Sequence, residues 1–440
     1  MPDRAISLRF PTGGVSRRLG YRETNRPFTS AWSWNVWNEA QVERRERGGA
    51  RPGLAKSNAQ RFHDGTKQIT GLFSSRILDS SQTHQYDLYV VADGKFWILR
   101  SDVATESTSN AVLRDQAGDP ILTEAGEEIT FDATVSSSIP GLERSQFSMA
   151  LYGNKVYLAD TTLKVYDPRF GTVDNLEATK GSFPPGQTTM AVYRARLVAT
   201  GGAHRFYASR VGDPTDWDYG AEGSDNSRAV AGQVGDAGRV SGIPSALVAF
   251  RDKYLVIATP SSLHQLSGDF TTGRIDEISS HIGIVGRNAW AHSPNGLLAF
   301  LSQDGVYLWQ IGSSDSPTRF SEEKIPEQFR SVDIDQTYVS MAYDIEFRGY
   351  HLFLTPETGV GTHWWLDVET RSIWPIRFAD DHQPLCAVSH ITDDGLPSVI
   401  LGCRDGYLRN FSSSAEDDDG VPYQSHVVLG PVGFSAHGAR

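Results

Sequence analysis

Cysteine is nearly missing from this chain: two residues, Cys386 and Cys403, in 440. That number excludes a disulfide-stapled scaffold. The two fall in neighbouring predicted strands, where a pair of buried thiols is the expected state and a cross-strand bridge the lesser alternative. Long apolar runs are missing too. No stretch approaches the roughly 20 residues that a membrane-spanning helix needs, and the opening MPDRAISLRFPTGG has no apolar core to mark secretion. A soluble chain without a membrane span, assembled in the cytoplasm, is therefore expected.

Catalytic and metal signatures are equally scarce. There is no HExxH, CxxC, GxSxG or P-loop, and the 12 histidines are scattered over different segments. His351 and His363 can approach each other across a predicted hairpin, but satisfied strand histidines are the expectation. SQDGVYLW at 302–309 resembles an aspartate box of the form SxDxGxTW; Asp304 and Gly305 are adjacent and the threonine is missing, so a plain Asp-Gly turn is read there. The acids Glu416 to Asp419 lack the spaced glycine of a calcium loop and read as a solvated charge run. No catalytic, cofactor or metal residue is assigned. A paired-carboxylate glycosidase site assembled from distant loops stays open.

Positive charge is scarce outside the N-terminus. Residues 1–62 carry 12 Lys or Arg against 5 Asp or Glu, whereas the remainder carries 29 against 48, for a net charge of −12 overall. Such an acidic body argues against tight nucleic-acid binding, which draws on phosphate neutralisation, and suits a surface past which a polyanion slides.

What the chain has in abundance is short strands and tight turns. AVYRARLVATGGAHRFYASRVGDPTDW, from Ala191 to Trp217, alternates β-branched and aromatic residues around Gly201-Gly202 and ends at Gly212 to Pro214, a hairpin and its exit. Related units have turn centres near 93, 153, 201, 252, 295, 348 and 394, at Asp-Gly, Gly-Asn, Asn-Gly and similar pairs. A repeat of about 50 residues built from short strands predicts an all-β fold, a propeller-like body of about six to eight blades over residues 65–411. Residues 412–440 read as an acidic linker, SSSAEDDDG, followed by a strand that closes the ring or extends beyond it.

Two further segments break the rhythm. Residues 1–64 form a basic, aromatic arm with Trp32, Trp34 and Trp37 and the basic residues Arg44, Arg45 and Arg47. Three tryptophans at spacings of two and three cannot share one face of a strand, so they read as anchors onto the body or a neighbouring subunit, or as a local mini-core. Deleting residues 1–62 is expected to leave a folded body. Residues 101–143 hold nine acids against one arginine, among them Asp115, Asp119, Glu124, Glu127 and Glu128, and read as a projecting hairpin or a surface loop.

The run from Thr12 to Leu54 resembles the opening of the tail nozzle proteins (tail tubular protein B) of short-tailed bacteriophages. The matching residues are the turn Gly13, Gly14, Val15 and Ser16, the tryptophan segment Trp32 to Trp37, and Arg51, Pro52 and Leu54; RFYASRVGDPTDW is similar to a phrase of phage tail and head-completion proteins. The resemblance implies a non-enzymatic virion tail component, a propeller subunit in a ring of six below the portal and adaptor, through which double-stranded DNA leaves. At 440 residues the chain is nearer the hub proteins than the large nozzles. It further implies an adaptor partner above and tail fibre or needle (spike) partners. The implied assembly contacts are Gly13 to Ser16, the three tryptophans, Arg44, Arg45, Arg47 and Arg51, and the implied channel lining is the five acids of 101–143. Rival expectations are a propeller glycosidase or polysaccharide-binding tail protein, and a monomeric peptide-binding propeller.

Overall fold

The computed structural model describes residues 10–17, 29–38, 47–59, 61–62, 68–78, 84–92, 95–100, 103–106, 146–159, 163–168, 172–183, 186, 189–201, 205–221, 223–233, 242–322, 324–330, 332–392 and 395–429. Arg44, Arg45, Asp115, Asp119, Glu124, Glu127, Glu128 and the Asp93-Gly94 turn lie outside them. Among the described residues the fold is all-β, with one single-turn 3-10 helix at Ile334–Gln336. No helix among them is long and apolar enough to cross a membrane.

Seven four-stranded antiparallel sheets make the blades of a β-propeller. Their innermost strands are Ile69–Leu78, Ser148–Tyr152, Met190–Tyr193, Ala246–Phe250, Trp290–His292, Thr337–Asp344 and Pro384–Ile391. Each sheet is amphipathic on neither face, because both faces pack against adjacent blades. Accordingly the second strands are almost continuously apolar, as in Tyr254–Ala258 and Leu297–Ser302. The apolar clusters trace the ring. Tyr89, Val91 and Phe96 of the first blade pack with Val156 and Tyr166 of the second. Tyr157 meets Leu197 and Trp217 between blades two and three, and Val198 meets Leu255 between three and four. One large cluster joins blades four, five and six, another joins six and seven, and Ile400 with Val90 and Leu88 returns to the first blade.

The ring is closed by the N-terminal arm rather than by the C-terminal segment. Gly53–Lys56 pairs antiparallel with Leu408–Ser412 as the outer strand of the seventh blade, Leu54 opposite Phe411. The expected boundary at 64/65 therefore does not separate arm from body. Residues 415–419 cover the other edge of that strand, through Gly53 N–H to Ala415 O at 3.2 Å and Leu54 N–H to Asp417 O at 3.0 Å. Gly53 is required by this close approach, since a Cβ would sit 2.1 Å from Asp417 O. The C-terminal strand His426–Val428 pairs instead with Trp32–Trp34 of the arm.

At the far ends of the innermost strands, blades two, three and four each hand a hydrogen bond to the next blade. Tyr152 Oη donates to Ala195 O at 3.1 Å, Arg194 N–H to Asp252 Oδ1 at 2.8 Å, and Arg251 Nη2 to Pro294 O at 2.7 Å. Cys386 and Cys403 are free, buried thiols; burial pushes Cys403 up to about 12, which leaves it unreactive.

Candidate functional site

The residues singled out in the arm converge on a clasp over blades five to seven. Gly14 has a left-handed φ of 75° and lies against Ile373, so that Val15 N–H donates to Ile373 O at 2.9 Å. Lys324 Nζ donates to Gly13 O at 2.9 Å, and Ser16 N–H to Ser30 O at 2.9 Å. Gly14, Val15 and Ser16 are buried. Trp37 is buried among Phe347, His351, Trp365 and Phe411 of blades six and seven, with ring centres 5.2–5.7 Å away. Trp34 lies beneath the Arg377 guanidinium at 3.5 Å. Trp32 is 39% exposed, edge-on to Trp34, with Arg17 stacked 4.9 Å above it. Of the basic residues, Arg47 is exposed and Arg51 is buried.

Arg51 is the bolt of the clasp. Its guanidinium lies between the rings of Phe378 and Tyr423, at 4.8 and 4.0 Å. It donates to both carboxylate oxygens of Asp418, to Pro52 O at 2.8 Å, to Arg377 O at 3.2 Å and, through Nε, to Asn35 Oδ1 at 3.2 Å. All five donors of a guanidinium fork are thus available to a site that satisfies them, which makes its burial tolerable. Arg409 repeats the device beside it, donating to both Asp405 oxygens at 2.8 and 2.6 Å and to Asp419 Oδ2 at 2.9 Å. The acidic run is therefore not a solvated tail: Asp418 is 1% exposed and Asp419 is held by Arg409 and Lys56. Sequence reasoning missed Asp418 because its partner stands 367 residues away.

His351 and His363 do not form a pair. His351 Nε2 donates to Asp344 Oδ2 at 3.3 Å and the ring stacks on Phe411, whereas His363 accepts from Leu354 N–H and meets Gln383 Oε1 at 3.0 Å. Burial holds His363 down at about 3, so it is neutral. Asp304 lies in a plain two-residue turn, Gln303-Asp304, that joins Leu297–Ser302 to Gly305–Gln310, and Gly305 begins the second strand opposite Ser302. Among the described residues no group of three or more His, Cys, Asp or Glu is placed to hold a metal.

The innermost strands of all seven blades enclose an axial pocket of about 480 Å³. Its wall is mostly apolar, including Leu72, Leu151, Val192 and Met341; Arg287, Asn288 and His292 are among its polar members, and it contains no carboxylate. At the end where the innermost strands begin, the axis is braced. Gln146 Nε2 donates to Val339 O at 3.0 Å and Leu385 O at 2.9 Å, and Arg287 Nη1 donates to Gln146 O at 2.7 Å. This brace links the approaches to blades two, five, six and seven. A second groove, also about 480 Å³, lies between blades seven and one and is lined by Lys56, Tyr86, Glu346, His390, Ser398 and Asn410 among others.

No family model matches the chain, and no curated protein matches its sequence. Solved structures similar to it include the computationally designed Ika8 protein, at 15% identity over 80% of this chain and 98% of that one, with a TM-score of 0.40. The WD40 β-propeller domain of Doa1 matches at 12% identity over 83% of this chain and 98% of that one, TM-score 0.43. The extracellular domain of a one-component system from B. thetaiotaomicron matches at 10% identity over 82% of this chain but 39% of that one, TM-score 0.49. Identities and scores this low speak to none of the chain's chemistry.

Proposed function

We propose that the chain is a non-enzymatic structural subunit of a bacteriophage tail, of the nozzle or hub kind. In this reading it assembles in the host cytoplasm as a ring, six-fold by the resemblance, beneath an adaptor protein, and bears fibre or needle proteins below. The genome is retained and then released through the ring. The observation that carries the reading is that the residues of the N-terminal resemblance do a single mechanical job. Gly14, Val15, Trp37, Arg51 and Leu54 bind the arm to blades six and seven and close the propeller. The strong acidity outside residues 1–62 supports passage of a polyanion without adhesion. The propeller's own axial pocket, at about 480 Å³, is far too small for duplex DNA, so the conduit in this reading is the space between subunits. Electron microscopy of the purified full-length chain, alone and with its tail, is the test. Rings of fixed symmetry at the tail axis are expected; a chain that stays monomeric at micromolar concentration and never enters particles overturns the reading.

A second reading, a propeller glycosidase or polysaccharide-binding tail protein, draws on the polar groove between blades seven and one. Glu346 in its lining has its carboxyl pushed up by burial and by neighbouring Asp344, the direction a general acid needs. A carbohydrate screen with wild type and Glu346→Gln decides it; binding or cleavage lost in the variant supports it.

A further inference from the structure

Beyond the structural role, the axial pocket itself has the form of a ligand site. Its volume falls in the range of small-molecule pockets, roughly 300–1,000 Å³, its wall is mostly apolar, and one end is braced across the axis by Gln146 and Arg287, the latter itself in the lining. All three internal methionines, Met149, Met190 and Met341, line it, and methionine is the side chain that adapts most readily to an irregular apolar guest.

The open end is charged on one sector. Arg194 stands two residues beyond Val192, and Arg251 two residues beyond Ala249, the outermost wall positions of blades three and four. With Lys253 they put three exposed cations on two adjacent turns, against the single carboxylate of Asp252. The two turns are interlocked, because Arg194 Nε donates to Asp252 O at 2.9 Å. Both are built on left-handed backbone without glycine: φ is 50° at Arg194, 53° at Ala195, 51° at Arg251 and 50° at Asp252. Two-residue hairpin turns of this kind favour Asn-Gly, so the arginines occupy positions that the backbone alone would give to other residues.

We infer that the axial pocket binds an amphipathic anion, with a single aliphatic chain in the methionine-lined pocket and its acidic head against Arg194, Arg251 and Lys253. The mostly apolar, acid-free wall receives the aliphatic chain, and a cationic sector at one side of the mouth selects the sign of the head.

Calorimetry of the full-length chain with dodecanoate below its micelle concentration tests this, with dodecanol and acetate as controls. One dodecanoate per chain is expected, with a negative heat-capacity change from apolar burial. Dodecanol should bind about ten-fold or more weakly than dodecanoate, and acetate not measurably. Arg194→Asn/Arg251→Asn relieves the left-handed strain while removing two charges. Its Tm is expected to hold or rise while dodecanoate affinity drops to that of dodecanol, an outcome that misfolding does not mimic. Leu151→Trp fills the pocket and should abolish both. Flotation with phosphatidylglycerol vesicles separates the sources: co-flotation marks a bilayer lipid as the ligand, and its absence alongside dodecanoate binding marks a free amphiphile. No binding of dodecanoate, equal binding of dodecanol, or unchanged affinity in the double asparagine variant overturns the inference.

Discussion

Arg51 and Asp418 meet in two parallel hydrogen bonds of 2.8 and 2.5 Å, and both side chains are withdrawn from solvent. One belongs to the arm and the other to the segment after the last blade, so this ion pair ties the two ends of the chain across the seventh blade. Removing one partner strands the other charge in a buried site. Arg51→Ala is therefore expected to cost about 3–5 kcal/mol in urea unfolding. The double variant Arg51→Met/Asp418→Leu, which leaves no buried charge, should recover most of that loss. If the single and double variants unfold alike, the pair contributes shape and not charge.

The arm cannot be removed as a unit. A chain lacking residues 1–62 loses the outer strand Gly53–Lys56 and also the fully buried Leu54 and Phe62. The bared edge of Leu408–Ser412 then offers unpaired backbone to any passing strand. Such a chain is expected to aggregate or to lose its near-UV circular dichroism, and a peptide spanning residues 29–62 added during refolding should restore both by strand addition. A stable monomeric truncation with a native spectrum would show that the six remaining complete blades close without it.

Much of the propeller is readable in the residues because its inner three strands per blade obey simple rules. Asn295-Gly296 sits where turn chemistry requires it, with Gly296 at a φ of 87°, the Asp-Gly signal at 304–305 marks the next reversal to within one residue, and LLAFLS between them has no polar face because both of its faces are covered. The fourth strands are obscure for the opposite reason. Thr172–Asn175, Arg274–Ser279 and Thr318–Arg319 lie at the outer edge, half in water, and carry ordinary surface sequences. The turn at Arg194-Ala195 was equally hidden, since nothing in an Arg-Ala pair announces a left-handed backbone. Closure was legible least of all. Gly53–Lys56 is four residues with no alternation, and it becomes a strand only because Leu408–Ser412 on one side and residues 415–419 on the other supply its hydrogen bonds. The exposed remainder of the arm, such as Trp32, looks the same in sequence as the buried Trp34 and Trp37.

Acid should weaken the fold before any carboxylate pair is broken. Burial holds His264 at about 4 and His363 at about 3 in the native chain, whereas in the unfolded chain both titrate near 6.5. Below pH 6.5 the unfolded state therefore binds protons that the folded state refuses, and stability falls as pH drops, by up to about 1.4 kcal/mol per pH unit for each histidine, until the folded values are reached. Urea midpoints measured from pH 7 to pH 5 should decline accordingly. His264→Gln/His363→Gln, less stable at pH 7, should show a flatter profile; a slope equal to that of wild type would assign the acid sensitivity to other groups.

The conduit reading makes its sharpest demand on the acidic segment between blades one and two. That segment departs after the strand Val103–Glu106 and returns at Gln146, whose side chain braces the axis on the face where the innermost strands begin. Its acids Asp115, Asp119, Glu124, Glu127 and Glu128 lie outside the described residues, so their bearing on DNA is a matter for function and not geometry. If six chains ring the genome, these carboxylates keep the duplex centred and mobile by repelling phosphate. The repulsion acts only at close range, because the Debye length is about 10 Å at 0.1 M salt. Reversing the five to lysine is expected to create phosphate contacts that slow or stall genome release at low salt, with release recovering as salt rises along the slope of counterion displacement. The isolated variant is expected to keep the wild-type melting temperature, which separates an effect on release from a folding defect. Particles carrying it that eject DNA at the normal rate at every ionic strength would place the segment away from the channel and leave its acidity to solubility alone.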